Sequence, residues 1–146
     1  MTIKFTLNFI IIFYVSINTI YANSTIKNLK YQIDGKDYSN YLVKPDGNTK
    51  GFIFIIHDWN GLNKYEKSKV DMLAEKGYIS VALDLFEAEA ILDGIEDYRR
   101  ETSFLYKNRK EFRKRIKSGL IEARKILGNL KNQFIIGYFF CGVAVL

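Results

Sequence analysis

Phe52-Ile53-Phe54-Ile55-Ile56-His57-Asp58-Trp59-Asn60-Gly61-Leu62 is the stretch on which the fold turns. Five apolar residues in a row leave no polar side, so a strand over 52–56 is covered on both faces, as strands of a parallel sheet are. The polar run that follows leads into a helix. Asn63 and Glu66 have the spacing of a capping box, and Val70, Leu73 and Ala74 give a buried stripe. Gly77 ends that helix, and Ile79–Leu83 reads as a second buried strand. Ligands of open α/β sheets bind at the carboxyl ends of such strands, which makes His57–Leu62 the first candidate site loop.

Outward from this unit, Ile26–Ile33 and Lys36–Val43 flank Asp34-Gly35, a dipeptide suited to a tight hairpin turn. Pro45-Asp46-Gly47-Asn48 reads as a loop. Downstream, a long basic helix reaches Gly128, and Phe134-Ile135-Ile136 forms a third buried strand. The order is a hairpin, then β-α-β-α-β. This predicts an α/β chain with a mostly parallel central sheet, an N-terminal hairpin, flanking helices and right-handed crossovers.

The chain has 146 residues, enough for one domain, and no internal repeat is apparent. One Cys excludes a disulfide framework, and one His beside one Cys argues against a structural zinc site; no cofactor or metal is implied. A triad hydrolase would have to find its base in His57 or outside this chain. The first residues read as a leader: Lys4 gives a weakly basic start, Phe9–Val15 an apolar centre and Ala22 a small residue. A secretory signal peptide over 1–22 leaves 23–146 as the domain of an exported (periplasmic or secreted) protein with no membrane anchor after cleavage. An uncleaved anchor is the rival reading. A span needs about 20 mostly apolar residues, and Asn8, Ser16, Asn18 and Thr19 interrupt this one.

The net charge is +6, concentrated between Arg99 and Lys131, where twelve Lys and Arg face Glu101, Glu111 and Glu122. Phe112, Ile116, Leu120, Ala123 and Leu127 recur at helical spacing, which leaves the charges on a solvated face. No nucleic-acid partner is expected. Binding of an anionic partner through helix 99–131 is the alternative function in a different class.

The second candidate loop is Ile136-Gly137-Tyr138-Phe139-Phe140-Cys141-Gly142, again directly after an apolar strand. It has the outline of a nucleophile elbow centred on Phe139, with small residues two positions either side. Asp84, at the end of its strand, reads as a loop-capping residue.

Four segments in order resemble the dienelactone hydrolases of the α/β-hydrolase superfamily: His57–Leu62, Met72–Tyr78, Ala82–Phe86 and Phe134–Tyr138. The resemblance runs from about Asp34 to Leu146. It implies an α/β-hydrolase-type sheet, present only in its N-terminal part, and hydrolysis of small carboxylic esters or lactones by a Cys-His-Asp triad. The family's elbow reads Gly-Tyr-Cys-Phe-Gly-Gly, so its nucleophile falls on Phe139, and a phenyl ring forms no acyl-enzyme. The family's Asp and His follow the elbow, and neither residue occurs after Cys141 here. No intact catalytic residue is therefore expected. Cys141, two positions past the apex, points away from the pocket and is a poor substitute. The resemblance places the oxyanion-hole N–H groups on Trp59 and Phe140. It puts Asp58 near the resting thiol of the family. His57 lies before the elbow, where it holds the loop instead of acting as base, and Tyr138 lines the pocket. A small ester or lactone is the substrate if activity remains, and a complementing chain, carrying further strands with an Asp and then a His, is the open partner question.

Overall fold

The computed structural model describes residues 25–128 and 131–138. The expected leader over 1–22, and Phe139, Phe140 and Cys141, lie outside the described residues.

Strands β1 (Thr25–Ile33) and β2 (Lys36–Lys44) form the hairpin, with Ile33 opposite Lys36. Asp34 and Gly35 both take positive φ, 51° and 79°, which is the backbone that a two-residue primed turn demands. Strand β3 (Phe52–Ile56), helix α1 (Lys64–Glu75) and strand β4 (Ile79–Leu83) follow within a residue or two of the sequence reading. At the start of α1 the Tyr65 N–H donates to Asn63 Oδ1 (2.7 Å) and the Asn63 N–H donates to Glu66 Oε2 (3.1 Å). That is the expected capping box.

The next segment corrects the sequence reading. Where one long basic helix was expected, two occur: α2 (Ile95–Lys107) and α3 (Arg109–Leu127). Asn108 leaves the helical region at φ −113°, ψ 66°, and its amide Nδ2 donates to the Phe104 carbonyl at 2.8 Å. The short amide competes for a carbonyl at the end of α2, which is how Asn breaks a helix that periodicity alone would carry through.

Strand β5 (Gln133–Gly137) completes the sheet, whose order is β1-β2-β4-β3-β5. Strands β4, β3 and β5 are parallel, and β2 meets β4 antiparallel. The sheet is thus mixed, with the parallel part at the far end from the hairpin. Helices α2 and α3 cover one face through Leu105, Phe112, Ile116, Leu120 and Ala123, packed on Leu42, Phe52, Phe54, Ile56, Val81 and Leu83. On the other face α1 places Val70 and Ala74 against Val43, Ile53, Ile55 and Ala82. Both faces of β3 and β4 are covered, which is why these strands are buried at every position and carry one polar side chain between them, Ser80.

Strand β5 differs from expectation in its burial. The apolar run Phe134-Ile135-Ile136 predicts burial, yet Phe134 is 56% exposed and Ile135 39%, because β5 is the edge of the described sheet.

Candidate functional site

In the parallel register Ile56 of β3 lies beside Gly137 of β5, so the loop after β3 and the residue after β5 emerge at the same end of the sheet. Among the residues expected at the site, His57, Asp58, Trp59 and Tyr138 come from these two ends.

His57 is fully buried and both ring nitrogens are engaged. The Leu85 N–H donates to Nε2 at 3.2 Å, so the proton belongs on Nδ1, which donates to the Asp58 carbonyl at 2.6 Å. The ring also packs edge-on against Phe86, 4.8 Å between centroids. Burial pulls its pKa down to about 4, against a smaller opposing effect of the Asp58 carbonyl. A neutral imidazole with neither nitrogen free has no lone pair to offer a substrate. Its geometry ties the loop after β3 to the segment after β4.

Asp58 turns its carboxylate onto its own loop, where Oδ1 accepts the Trp59 N–H at 2.7 Å. The backbone donor at Trp59 is therefore already engaged. The Trp59 ring stands edge-on to Tyr98 of α2 at 5.6 Å. Gly61 closes the loop at φ 79°, and a Cβ there would come within 3.0 Å of the Phe86 ring. Only glycine satisfies both the backbone and the contact.

Beyond the loop is a cavity of about 300 Å³ lined by Asp58, Asn60, Asn63, Tyr65, Glu66 and Tyr138. Tyr138 stands edge-on to Tyr65 at 5.9 Å. Its phenol pKa is raised, first by burial and then by Tyr65 and Glu66 nearby, so the hydroxyl stays protonated. A second cavity, about 390 Å³, lies on the Trp59 side, between Trp59, Ile95, Arg99 and Thr102. Asn60 belongs to the loop that the sequence marks as a candidate site, whereas nothing in the sequence marks Asn63, Tyr65 or Glu66 as lining residues. Glu66 was legible only as a capping partner, yet it is 1% exposed and borders the first cavity.

At the end of β4, Asp84 receives the Phe86 N–H at 3.2 Å, the capping contact its position suggested, while its own N–H donates to Asn40 Oδ1 at 2.9 Å. Burial pushes its carboxyl up to about 6. Among the described residues no group of three His, Cys, Asp or Glu is placed to hold a metal, and no helix is long and apolar enough to cross a membrane.

The basic segment is not uniformly solvated. Arg99, Arg100, Lys114, Arg115 and Lys125 each meet a carboxylate. Arg115, counted with the solvated charges, is instead 2% exposed. It bonds Glu111 (2.9 Å), Glu87 (3.1 Å) and the Leu85 carbonyl (2.8 Å). A guanidinium can be buried there because its donors find a carboxylate or carbonyl.

Two solved structures share the fold. The chain superposes on m3DLH with a TM-score of 0.68 at 19% identity, covering 80% of this chain and 50% of that one. It superposes equally well, at 16% identity and the same coverage, on a dienelactone hydrolase-like promiscuous phosphotriesterase from metagenomic libraries. The chain spans about half the length of each. No curated protein matches it. The model of the dienelactone hydrolase family matches residues 38–146, a stretch that runs from the hairpin through both loops of the site. This chain belongs to the dienelactone hydrolase family.

Proposed function

We propose that this chain is a family member that does not itself hydrolyse esters or lactones by the family's covalent route. What carries the reading is Phe139, which the family resemblance sets at the position of the nucleophile. A phenyl ring has no lone pair to attack a carbonyl and no proton to lose. Two features of the site support it. The chain's one histidine is buried with both nitrogens bonded, so it offers no base. The Trp59 N–H, one of the two donors the family resemblance assigns to the oxyanion hole, is held by the Asp58 carboxylate. Negative charge on that donor opposes the negative charge that develops on a carbonyl oxygen under attack.

The test is hydrolysis of p-nitrophenyl acetate by the purified chain, beside Cys141→Ser and Phe139→Cys. The expected rate equals that of buffer for the chain and for Cys141→Ser. Phe139→Cys regains a thiol and is expected to give stoichiometric release at most, without turnover, because no base regenerates it. Turnover by the unaltered chain overturns the reading, and its loss in Cys141→Ser would identify the replacement nucleophile.

Export of the domain after removal of 1–22 belongs to the same proposal and rests on the Lys4, Phe9–Val15 and Ala22 pattern. Mass spectrometry of the expressed protein is expected to find a mature start at Asn23. A chain retaining Met1 in the cytoplasm overturns it.

A further inference from the structure

We propose that the cavity between the loop after β3 and the start of α1 binds a small organic cation, a primary alkylammonium ion with its nitrogen between Asp58 and Glu66 and its alkyl part against Tyr65 and Tyr138. The chain carries a net charge of +6, yet this cavity is lined by two carboxylates and by no Lys or Arg.

Each of the two carboxylates keeps one oxygen open. Asp58 Oδ1 accepts the Trp59 N–H and Glu66 Oε2 accepts the Asn63 N–H. Among the described residues, Oδ2 of Asp58 and Oε1 of Glu66 have no hydrogen-bond partner, and no Lys or Arg pairs with either side chain. Glu66 is the sharper case. It is 1% exposed and borders the cavity, so the cavity is what its open oxygen meets. A buried carboxylate is stabilised by a cation or a further donor. The start of α1 supplies neither, because its Asn63 and Tyr65 N–H groups are already held by Glu66 and Asn63. This helix end has its anion in Glu66 and no call for a second.

The aromatic wall favours the same ligand. Tyr65 and Tyr138 stand edge-on, with centroids 5.9 Å apart and planes at 72°, and make a corner in the lining. Lys69, which does not line the cavity, already holds its Nζ 4.9 Å from the Tyr65 centroid, so this ring draws an ammonium group. Rings beside carboxylates are a setting in which proteins hold organic ammonium ions. A divalent metal fits less well: it asks for about six or more oxygen ligands, and no group of three His, Cys, Asp or Glu among the described residues is placed to hold one. An anion meets two like charges. A primary ammonium donates through each N–H, and the open oxygens of Asp58 and Glu66 and the amide oxygen of Asn60 are the acceptors on offer.

The test titrates n-butylammonium into the ¹⁵N-labelled chain and follows amide shifts, beside 1-butanol, which keeps the tail without the charge, and butanoate, which reverses it. For n-butylammonium a Kd of about 1 mM is expected, with the other two at least about tenfold weaker. The largest shifts should fall on Trp59, Asn60 and Glu66. Glu66→Gln keeps an acceptor for the Asn63 N–H, and Asp58→Asn keeps one for the Trp59 N–H. The first should weaken binding about tenfold and the second about threefold, as a buried and a half-buried charge. Tyr138→Leu should weaken it about threefold. Asp46→Asn removes an equal charge beyond Lys44, at the opposite end of the sheet, and should leave the affinity unchanged. The ligand has no ester to cleave, so failure to bind leaves the reading of Phe139 standing, and turnover of p-nitrophenyl acetate leaves this proposal standing. Equal binding of 1-butanol overturns the proposal, as does an affinity that survives both Glu66→Gln and Asp58→Asn. So does an equal loss in Asp46→Asn, which would trace the attraction to overall charge, and so does the absence of saturable shifts with n-butylammonium.

Discussion

Strands β4 and β5 flank the same neighbour in the same register and have opposite fates. Phe52 of β3 faces Ile79 on one side and Gln133 on the other, and both neighbours run parallel to β3 for five residues. The segments ISVAL and FII look alike as sequence. Every residue of β4 is buried, whereas Phe134 and Ile135 of β5 are 56% and 39% exposed. The difference lies in what stands beyond each strand. β4 has β2 on its far edge, α1 on one face and α3 on the other. β5 has β3 alone. A run of apolar residues thus suits a place between two strands and two layers, and β5 carries such a run at the edge of the described sheet.

The contrast predicts its own largest effect. Leu83→Ala at the end of β4 removes a side chain that is 0% exposed, and it should cost about 2–5 kcal/mol, the range for such truncations in packed cores. Ile135→Ala in β5 removes a similar side chain and should cost about 0.5 kcal/mol or less, as for exposed positions. Urea denaturation measures both. Equal costs would break the comparison, because they would mean that β5 is packed as tightly as β4.

The carboxyl ends of the two strands differ as well. Beyond Leu83, the Asp84 and Leu85 backbones are tied to Asn40 and His57; beyond Gly137, Tyr138 meets Tyr65 edge-on. The first arrangement has a pH signature. Burial holds His57 near 4, below its ordinary 6.5, so between those values the unfolded chain takes up a proton that the folded chain refuses. Stability from this group is complete above 6.5 and is lost as pH falls toward 4. Burial raises Asp84 from 3.8 to about 6, so in that window the folded chain holds a proton that the unfolded chain lacks, and stability rises as pH falls. At about 1.4 kcal/mol per pKa unit the two slopes nearly cancel between about pH 4 and 6. Asp84→Asn keeps the acceptor for the Phe86 N–H and removes one slope. The variant is expected to lose about 3 kcal/mol relative to the parent between pH 6.5 and 4, by urea midpoints at each pH. Parallel pH profiles for variant and parent would show that the carboxyl of Asp84 is not the offsetting group.

A smaller effect is expected where α3 approaches β4. Gly119 lies against the sheet so closely that an added Cβ would stand 3.0 Å from the Tyr31 hydroxyl, 3.2 Å from Leu83 and 3.3 Å from the Asn40 amide. The Asn40 amide donates to the Gly119 carbonyl at 3.2 Å and its oxygen receives the Tyr31 hydroxyl at the same distance. Helix, hairpin and β4 meet on this one side chain. Gly119→Ala should cost about 1–3 kcal/mol through overpacking, set against its gain in helix propensity. Thermal unfolding at or above the parent value would mean that the Asn40 network yields without loss.

Much of this was legible in the sequence where chemistry is local. Asp34-Gly35 fixed the hairpin turn, Asn63 with Glu66 the start of α1, and the apolar runs the three parallel strands. What escaped depends on distant partners. Nothing local marks Arg115 as the buried member of a basic run, since its carboxylates come from α3 itself and from Glu87 after β4. The break at Asn108 was hidden by a periodicity that continues across it. The openness of β5 was hidden because an apolar run records intended burial on both faces and carries no sign of whether the covering layers are present. In the site, His57 and Asp58 were readable as loop residues, but the contact of the Asp58 carboxylate with the Trp59 N–H follows from the loop's backbone alone.

That contact gives the smallest and most local prediction. Asp58→Ala removes the acceptor of the Trp59 N–H and one carboxylate from the cavity lining, without touching either buried face of the sheet. The Asp58 side chain lies at the surface end of the loop, so the stability change should stay within about 0.5 kcal/mol. Trp59 is the chain's one tryptophan and is 38% exposed, which makes its fluorescence a direct probe of the loop. With Asp58 in place, the held N–H keeps the ring against Tyr98; without it, the emission should shift to the red and quench more readily with iodide, because the ring is freed toward solvent and an anionic group that repels iodide is gone. Acrylamide, which is neutral, separates these causes: increased acrylamide quenching reports the freed ring, whereas an increase confined to iodide reports lost charge alone. Unchanged quenching by both would mean that the β3 loop is held by His57 and Gly61 without help from Asp58, so the rigidity at this end of the sheet would trace entirely to the buried contacts running to β4.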